Sequence, residues 1–327
     1  MRRTILSTLL LTLSASAETH QIVATEYHHT FSAAHKILKQ IRPGDTVITK
    51  TVDSAGFDYQ GVRRTKTHGN PLTGPFYIDG AQPGDTLIVR LRRISLNRNT
   101  GYTGHRVPVK DLPENLAPPK PRPDAVIPGY DYLIPWTIDT QRGIVRLAEP
   151  GTRRLPLIKA QPMLGCIGVA PKGDFSPRSG PAGYWGGNLD YNLVREGATV
   201  LLPVHHPGGL LFFGDGHAVQ GDGEPVGSGV ETSLDVEITV ELRKGGKLTG
   251  PRAETATEIV SIGAAPDATL NQSLELANRD MLSWLIEEYQ YPPLEAHLLI
   301  GTQARYDVLT QGGSMALRIP KAALSRE

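Results

Sequence analysis

The chain has 327 residues with 34 Lys plus Arg against 33 Asp plus Glu, a balance that leaves no basic field and excludes general nucleic-acid binding. At 39% hydrophobic and 20% charged residues it is a folding chain, and its 35 glycines and 26 prolines favour short strands and tight turns over a helical bundle. The single cysteine, Cys166, excludes an internal disulfide and a cysteine-rich metal cluster.

Residues 1–17 (MRRTILSTLLLTLSASA) combine Arg2 and Arg3, an apolar run from Ile5 to Leu13, and a small-x-small Ala15-Ser16-Ala17. This pattern predicts a Sec-type signal peptide. The apolar run is shorter than the roughly 20 residues that a bilayer requires. The expectation is therefore an exported protein, periplasmic or secreted, that begins near Glu18 and has no membrane attachment after cleavage.

The motif Ile41-Arg42-Pro43-Gly44-Asp45-Thr46-Val47-Ile48 returns 40 residues later as Ala81-Gln82-Pro83-Gly84-Asp85-Thr86-Leu87-Ile88. Pro-Gly-Asp-Thr before a β-branched run predicts a turn feeding a strand. Arg195–Leu202 is a weaker third copy. Thr67–Pro75 is a Gly/Pro-stiffened loop carrying His68 and Asn70, ahead of a strand at Phe76–Ile78. Residues 98–128 are too rich in Pro, Lys and Asn for a strand core. An alternating pattern resumes at 136–149.

Cys166 sits in an apolar stretch with no charge beside it to lower its pKa, which favours an inert buried thiol. Gly186-Gly187-Asn188-Leu189-Asp190 reads either as an Asx turn or as an amide and a carboxylate brought to a site. His28-His29 and His205-His206 are adjacent pairs whose members would face opposite ways on a strand, so neither pair suits one ion.

The densest polar stretch is Phe213–Glu224, where Asp215, His217, Gln220, Asp222 and Glu224 are separated by glycines after an apolar strand at 210–213. Glycines let a loop fold tightly, and histidine with carboxylates is a ligand set for Zn²⁺ or a harder cation. The same stretch also reads as a solvated hairpin. Residues 234–242 alternate with period two, the mark of a half-buried strand. Leu270, Leu274, Ala277, Met281 and Leu285 predict an amphipathic helix over 269–289, ended by Tyr291-Pro292-Pro293. A shorter helix at 294–303 and a closing strand at 315–319 follow. The predicted fold is mainly β, of sandwich or barrel type, with a C-terminal helical pair.

NPLTGPFYIDGAQPGDTL (70–87), LGCIGVAP (164–171), GGNLD (186–190), LPVHHPGGLLFFGDGHAVQGDGE (202–224) and ET (231–232) together resemble the acetamidase/formamidase family. The resemblance runs from about Tyr27 to Pro320. It implies one catalytic unit over 18–327, built of two intertwined β-rich subdomains and assembled as a homo-oligomer. It also implies hydrolysis of a small amide, formamide-like or acetamide-like, to ammonia and a carboxylate with a divalent metal, zinc first and calcium second. The positions carried over are Asn70, Asn188, Asp190, Asp215, His217, Gln220, Asp222 and Glu224. The expected roles are catalysis by Glu224, Asn70, Asn188 and Gln220, metal ligation by Asp190, His217, Asp215 and Asp222, and substrate binding by His68. Export and the His205-His206 pair depart from the family's pattern. Two other readings stand beside it: an exported β-rich Ca²⁺-binding protein without turnover, and a cupredoxin-like copper domain. The copper domain lacks the ligand spacing after Cys166.

Overall fold

The computed structural model describes residues 16–118, 126–128, 130, 132–148 and 154–324. The signal-peptide reading therefore falls, except for Ser16 and Ala17, outside the described residues.

The fold is mainly β, as the composition predicts. A nine-stranded sheet runs in the spatial order Thr19–Gln21, Thr46–Lys50, Leu234–Arg243, Thr86–Leu96, Thr199–Pro203, Arg252–Glu254, Glu258–Gly263, Ser314–Pro320, Arg305–Thr310. A six-stranded sheet is ordered Ala182–Gly183, Gly186–Asn188, Met163–Val169, Leu211–His217, Leu72–Ile78, Lys39–Ile41. The main core is filled from both sheets, with Leu87, Val89, Val200 and Ile238 from the first and Leu72, Leu164, Ile167 and Phe213 from the second. The central strands Met163–Val169 and Leu211–His217 are buried along their whole length; the first reads as an apolar run rather than an alternating one, and the second carries Asp215 and His217 into the interior. A four-stranded sheet (Thr100–Thr103, Ile134–Asp139, Ile144–Leu147, Ile158–Lys159) packs Ile138 and Val145 against Ala218 and Val230. Thr100–Thr103 lies inside the stretch expected to be irregular. It pairs with Ile134–Asp139, which supplies the tertiary partner its sequence does not announce.

Both Pro-Gly-Asp-Thr motifs start strands, and the aspartate explains why. Asp45 accepts from the N–H of Arg42 at 2.9 Å and from that of Glu18 at 2.8 Å. Asp85 accepts from the N–H of Gln82 at 2.8 Å and of Gly245 at 3.0 Å, and pairs with Lys244. Each carboxylate closes its own turn and ties it to a distant segment. Burial alone would raise the Asp85 pKa, but Lys244 and the two N–H donors outweigh it and hold the carboxyl below its usual range. A depressed folded-state pKa contributes stability above the unfolded value, and that contribution is lost as pH falls through the folded one. Asp85→Asn should therefore destabilise by about 2 kcal/mol at pH 7. In urea titrations, its gap from wild type should close below about pH 4. A gap that stays constant down to pH 2 would contradict this.

Helix α1 spans Leu270–Glu287 and starts at a capping box in which Thr269 and Gln272 satisfy each other's backbone N–H. Helix α2 spans Pro293–Gln303. Ala277, Met281, Trp284 and Leu285 pack on Ile259, Leu317 and Ile319, while the alternate residues Val260, Ile262 and Ala316 face the main core. Period two in the strands thus serves two layers at once. Arg252 pins this layer: it pairs with Asp280 at 2.8 Å and lies 4.5 Å over the Trp284 ring.

Candidate active site

Strand register builds the site. Cys166 lies opposite Asn188 on one side and Gly214 on the other, and Gly214 lies opposite Leu72. One row across four strands therefore brings together Asn188, Gly165, Asp215 and the Asn70 turn. Asp190 follows two residues after its strand; its N–H and that of Leu189 both donate to the Gly165 carbonyl, at 3.1 and 2.8 Å. The 213–224 stretch is not all loop, as its glycines suggest: the strand continues through Asp215 to His217. Gly214 and Gly216 are required by packing. A Cβ on Gly214 would lie 2.6 Å from the Pro71 carbonyl, and one on Gly216 2.7 Å from Leu234.

The carboxylates and the imidazole converge. Single donor atoms of Asp190, His217 and Glu224 lie within 4.8 Å of one another, as do those of Asp215, His217 and Glu231. Asp190, Asp215, His217 and Glu231 are each at most 4% exposed. Asn70 donates through Nδ2 to Asn188 Oδ1 (3.1 Å) and to Asp215 Oδ2 (2.9 Å). Asn188 donates through Nδ2 to Asp190 Oδ2 and accepts from the Cys166 thiol at 2.8 Å. Each aspartate thus has one oxygen tied to an amide. The other, Oδ1, has no hydrogen-bond partner among the described residues, and neither have His217 Nε2 and Glu231 Oε2. His217 Nε2 does lie 3.0 Å from Glu231 Oε1, yet no directed hydrogen bond joins them.

Gln220 fixes the imidazole. Its Nε2 donates to the Asp190 carbonyl at 2.5 Å, so its Oε1 accepts from His217 Nδ1 at 2.8 Å. One ring proton belongs on Nδ1, which leaves Nε2 as the nitrogen that faces the carboxylates and the one available to ligate a metal. Gln220 therefore holds His217 and does not face the cavity. Gly165 forms the floor: a Cβ there would lie 2.5 Å from Asp190 Oδ1 and 2.6 Å from Asp215 Oδ2. Asn70, Asp190, Asp215 and Glu224 all have φ between 45° and 57°. Left-handed backbone at non-glycine positions is costly and gathers where function requires it.

The electrostatics show an excess of negative charge. Burial, then Glu224 and Asp215, push Asp190 well above the usual carboxyl range. Burial raises Glu231 to about 8, with His217 opposing and Asp215 adding. Burial raises Glu224 to about 7, with His217 again opposing. Burial works against charge on His217, but Glu231 and Asp215 outweigh it and raise its pKa well above the usual value. Inward-facing lone pairs, a surplus of buried carboxylates and a cradle that a methyl would fill all fit a cation at this centre.

Two cavities meet at the site. One, of about 210 Å³, is lined by Asn70, Asn188, Asp215, Glu224 and Glu231 together with Tyr102, Tyr130 and His68. The other, of about 430 Å³, reaches Asn188, Asp190 and Glu224 from the opposite side. His68 is exposed, on the rim of the first cavity, with its ring 4.8 Å from that of Tyr130.

Of the residues named from sequence, Asp222 does not join the cluster: it is exposed and held by Asn192 at 2.6 Å. Glu231 does join and was given no role from sequence. It forms isolated bridges with both His217 and Tyr102. Its only sequence signal is the Glu-Thr pair between the glycine-rich stretch and the alternating strand. Cys166 is fully buried. Burial, Asp215 and Asp190 raise its pKa well above the usual thiol value, in keeping with an inert thiol. The histidine pairs lie elsewhere. His28 stacks on His35 at 3.9 Å, and His206 bonds the Pro171 carbonyl at 2.6 Å.

Residues 157–301 match the model of the Acetamidase/Formamidase family. A putative formamidase of Schizosaccharomyces pombe is 28% identical over 236 residues, 59% of this chain and 56% of that protein. An acetamidase of Mycolicibacterium smegmatis is 26% identical over 54% of each chain. The chain thus spans little more than half the length of these curated relatives. Solved structures match more of it. An acetamidase from Yersinia enterocolitica superposes with a TM-score of 0.79 at 25% identity, covering 97% of this chain and 96% of that one. A predicted acetamidase/formamidase from Thermoanaerobacter tengcongensis gives 0.77 at 27% identity, covering 94% and 97%. The resemblance read from the motifs is borne out: in sequence and in fold, this chain is similar to acetamidases and formamidases.

Proposed function

We propose that the chain is an amidase that hydrolyses the C–N bond of a small linear amide, formamide-like or acetamide-like, to ammonia and a carboxylate. The observation that carries this reading is the convergence of donor atoms in two groups that share His217, Asp190–His217–Glu224 and Asp215–His217–Glu231, beside a cavity lined by Asp215, Glu224 and Glu231. Asp190, Asp215, His217 and Glu231 would hold a divalent cation. When bound, it would polarise the carbonyl and make water acidic enough to attack near neutral pH. An imidazole among carboxylates suits zinc better than calcium, which takes oxygen ligands.

Glu224 is the general base. Burial raises its carboxyl toward neutrality, which favours both uptake and return of a proton near neutral pH. It takes the proton as water adds to the carbonyl carbon, then returns it to the amide nitrogen. The C–N bond breaks as that nitrogen is protonated, and ammonia leaves. Asn188 is better placed than Asn70 to steady the oxygen that gains charge. Both amide hydrogens of Asn70 are committed to Asn188 and Asp215, whereas Asn188 commits one, to Asp190.

Export is part of the proposal, as is assembly of identical copies. Among the described residues, no helix is long and apolar enough to cross a membrane. Ammonia release from formamide and acetamide by the purified chain tests the reading directly. The expected result is release that a chelator abolishes and Zn²⁺ restores. Thermal stabilisation by Ca²⁺ with no release from either amide would favour the non-catalytic binding protein instead.

A further inference from the structure

The cavity above the carboxylates is larger than an acetyl group needs. Its roughly 210 Å³ equals the liquid volume of about seven waters. Part of its lining is apolar: Ala55, Tyr102, Ile127 and Leu133 belong to one buried cluster, with Tyr130 packed against it. Tyr102 and Ile127 also line a second, mostly apolar cavity of about 320 Å³, walled further by Phe57 and Trp136. Tyr102 and Ile127 thus belong to the linings of both cavities.

The charges in this space define what it rejects. Among the described residues lining the second cavity, only Asp53 and Arg98 are charged, and they pair with each other at 2.6 Å. Arg98 also donates to the carbonyls of Thr100, Phe57 and Asp58. Among the described residues lining this cavity, no unpaired Lys or Arg is left to receive an anionic substituent. The first cavity adds Asp215, Glu224 and Glu231 and, among the described residues, no Lys or Arg.

Building on the amidase reading, we propose that the preferred substrate is a neutral primary amide with a bulky apolar acyl group, of the size and character of phenylacetamide. Formamide and acetamide would be minimal substrates that leave the apolar wall wetted. Binding energy from such a remote group raises kcat/KM, by about fourfold for each buried methylene.

The test compares kcat/KM for acetamide and phenylacetamide with the full chain. Phenylacetamide should exceed acetamide by tenfold or more, and Leu133→Trp, which fills the apolar end, should cut that ratio at least tenfold. The wild-type ratio decides the matter even if the variant fails to fold. Equal or better use of acetamide would overturn the proposal while leaving the amidase reading intact. If neither amide is hydrolysed, the amidase reading fails and calorimetry decides this proposal separately. Phenylacetamide binding at least tenfold tighter than acetamide, and weakened by L133W, would sustain it; equal or absent binding would overturn it.

Discussion

Glu224→Gln should lower ammonia release by about three orders of magnitude, within the range that a positioned general acid–base supplies. The substitution keeps the size of the side chain and its place between the two cavities. What it removes is the ability to take and return a proton. The cause of the perturbed Glu224 pKa is burial, opposed by His217 and reinforced by Asp215. A cation beside it would move that pKa down, so the acid limb of the wild-type rate should lie at or below about pH 7. The rate should rise with pH through that limb, because the unprotonated form starts the reaction. In E224Q the limb should vanish along with the activity. Stopped ammonia assays from pH 4 to pH 9 on both proteins give the answer. A variant that keeps its rate and its acid limb would show that another group moves the proton.

Gly165→Ala carries the second large effect. Gly165 does not have positive φ, so alanine meets no backbone strain there. The added methyl instead falls between Asp190 Oδ1 and Asp215 Oδ2, at 2.5 and 2.6 Å. These carboxylates must splay apart, and the proposed cation would lose ligands. Activity should fall at least 100-fold, as expected when reacting groups are displaced by about 1 Å. The urea midpoint should fall modestly, since a methyl pressed against buried, hydrogen-bonded carboxyl groups overpacks the interior by about 1–3 kcal/mol. A G165A protein with normal turnover would mean that the Asp190–Asp215 gap has no part in the chemistry. Loss of the folded state itself would mean that Gly165 serves packing.

The sequence made some of this architecture readable and hid the rest for identifiable reasons. The Pro-Gly-Asp-Thr strand starts were readable because the turn chemistry is local: Asp45 and Asp85 each bond a backbone N–H three residues back. Helix α1 was readable because its apolar spacing and its Thr269 cap are both encoded nearby. Asp215 and His217 looked like loop residues because Gly214 and Gly216 imitate a turn. Those glycines answer to Pro71 and Leu234, which are distant in sequence. Asp222 shares its loop with Glu224 and looked equivalent. A turn of the chain gives it Asn192 and solvent, whereas Glu224 faces the cavity. Glu231 was hidden because a lone acid three residues ahead of a strand has no local mark. Only its bridges to His217 and Tyr102 place it in the site. Period and turn chemistry are short-range properties, whereas a site assembled across four strands depends on register.

Metal uptake by the chelator-stripped full chain, measured for wild type and His217→Ala alongside ammonia release, tests the shared centre most directly. His217 is the one member of both donor groups. Wild type should take up one zinc ion per chain and regain turnover, and H217A should retain neither the metal nor the activity. An H217A protein with full metal content and full turnover would contradict the account.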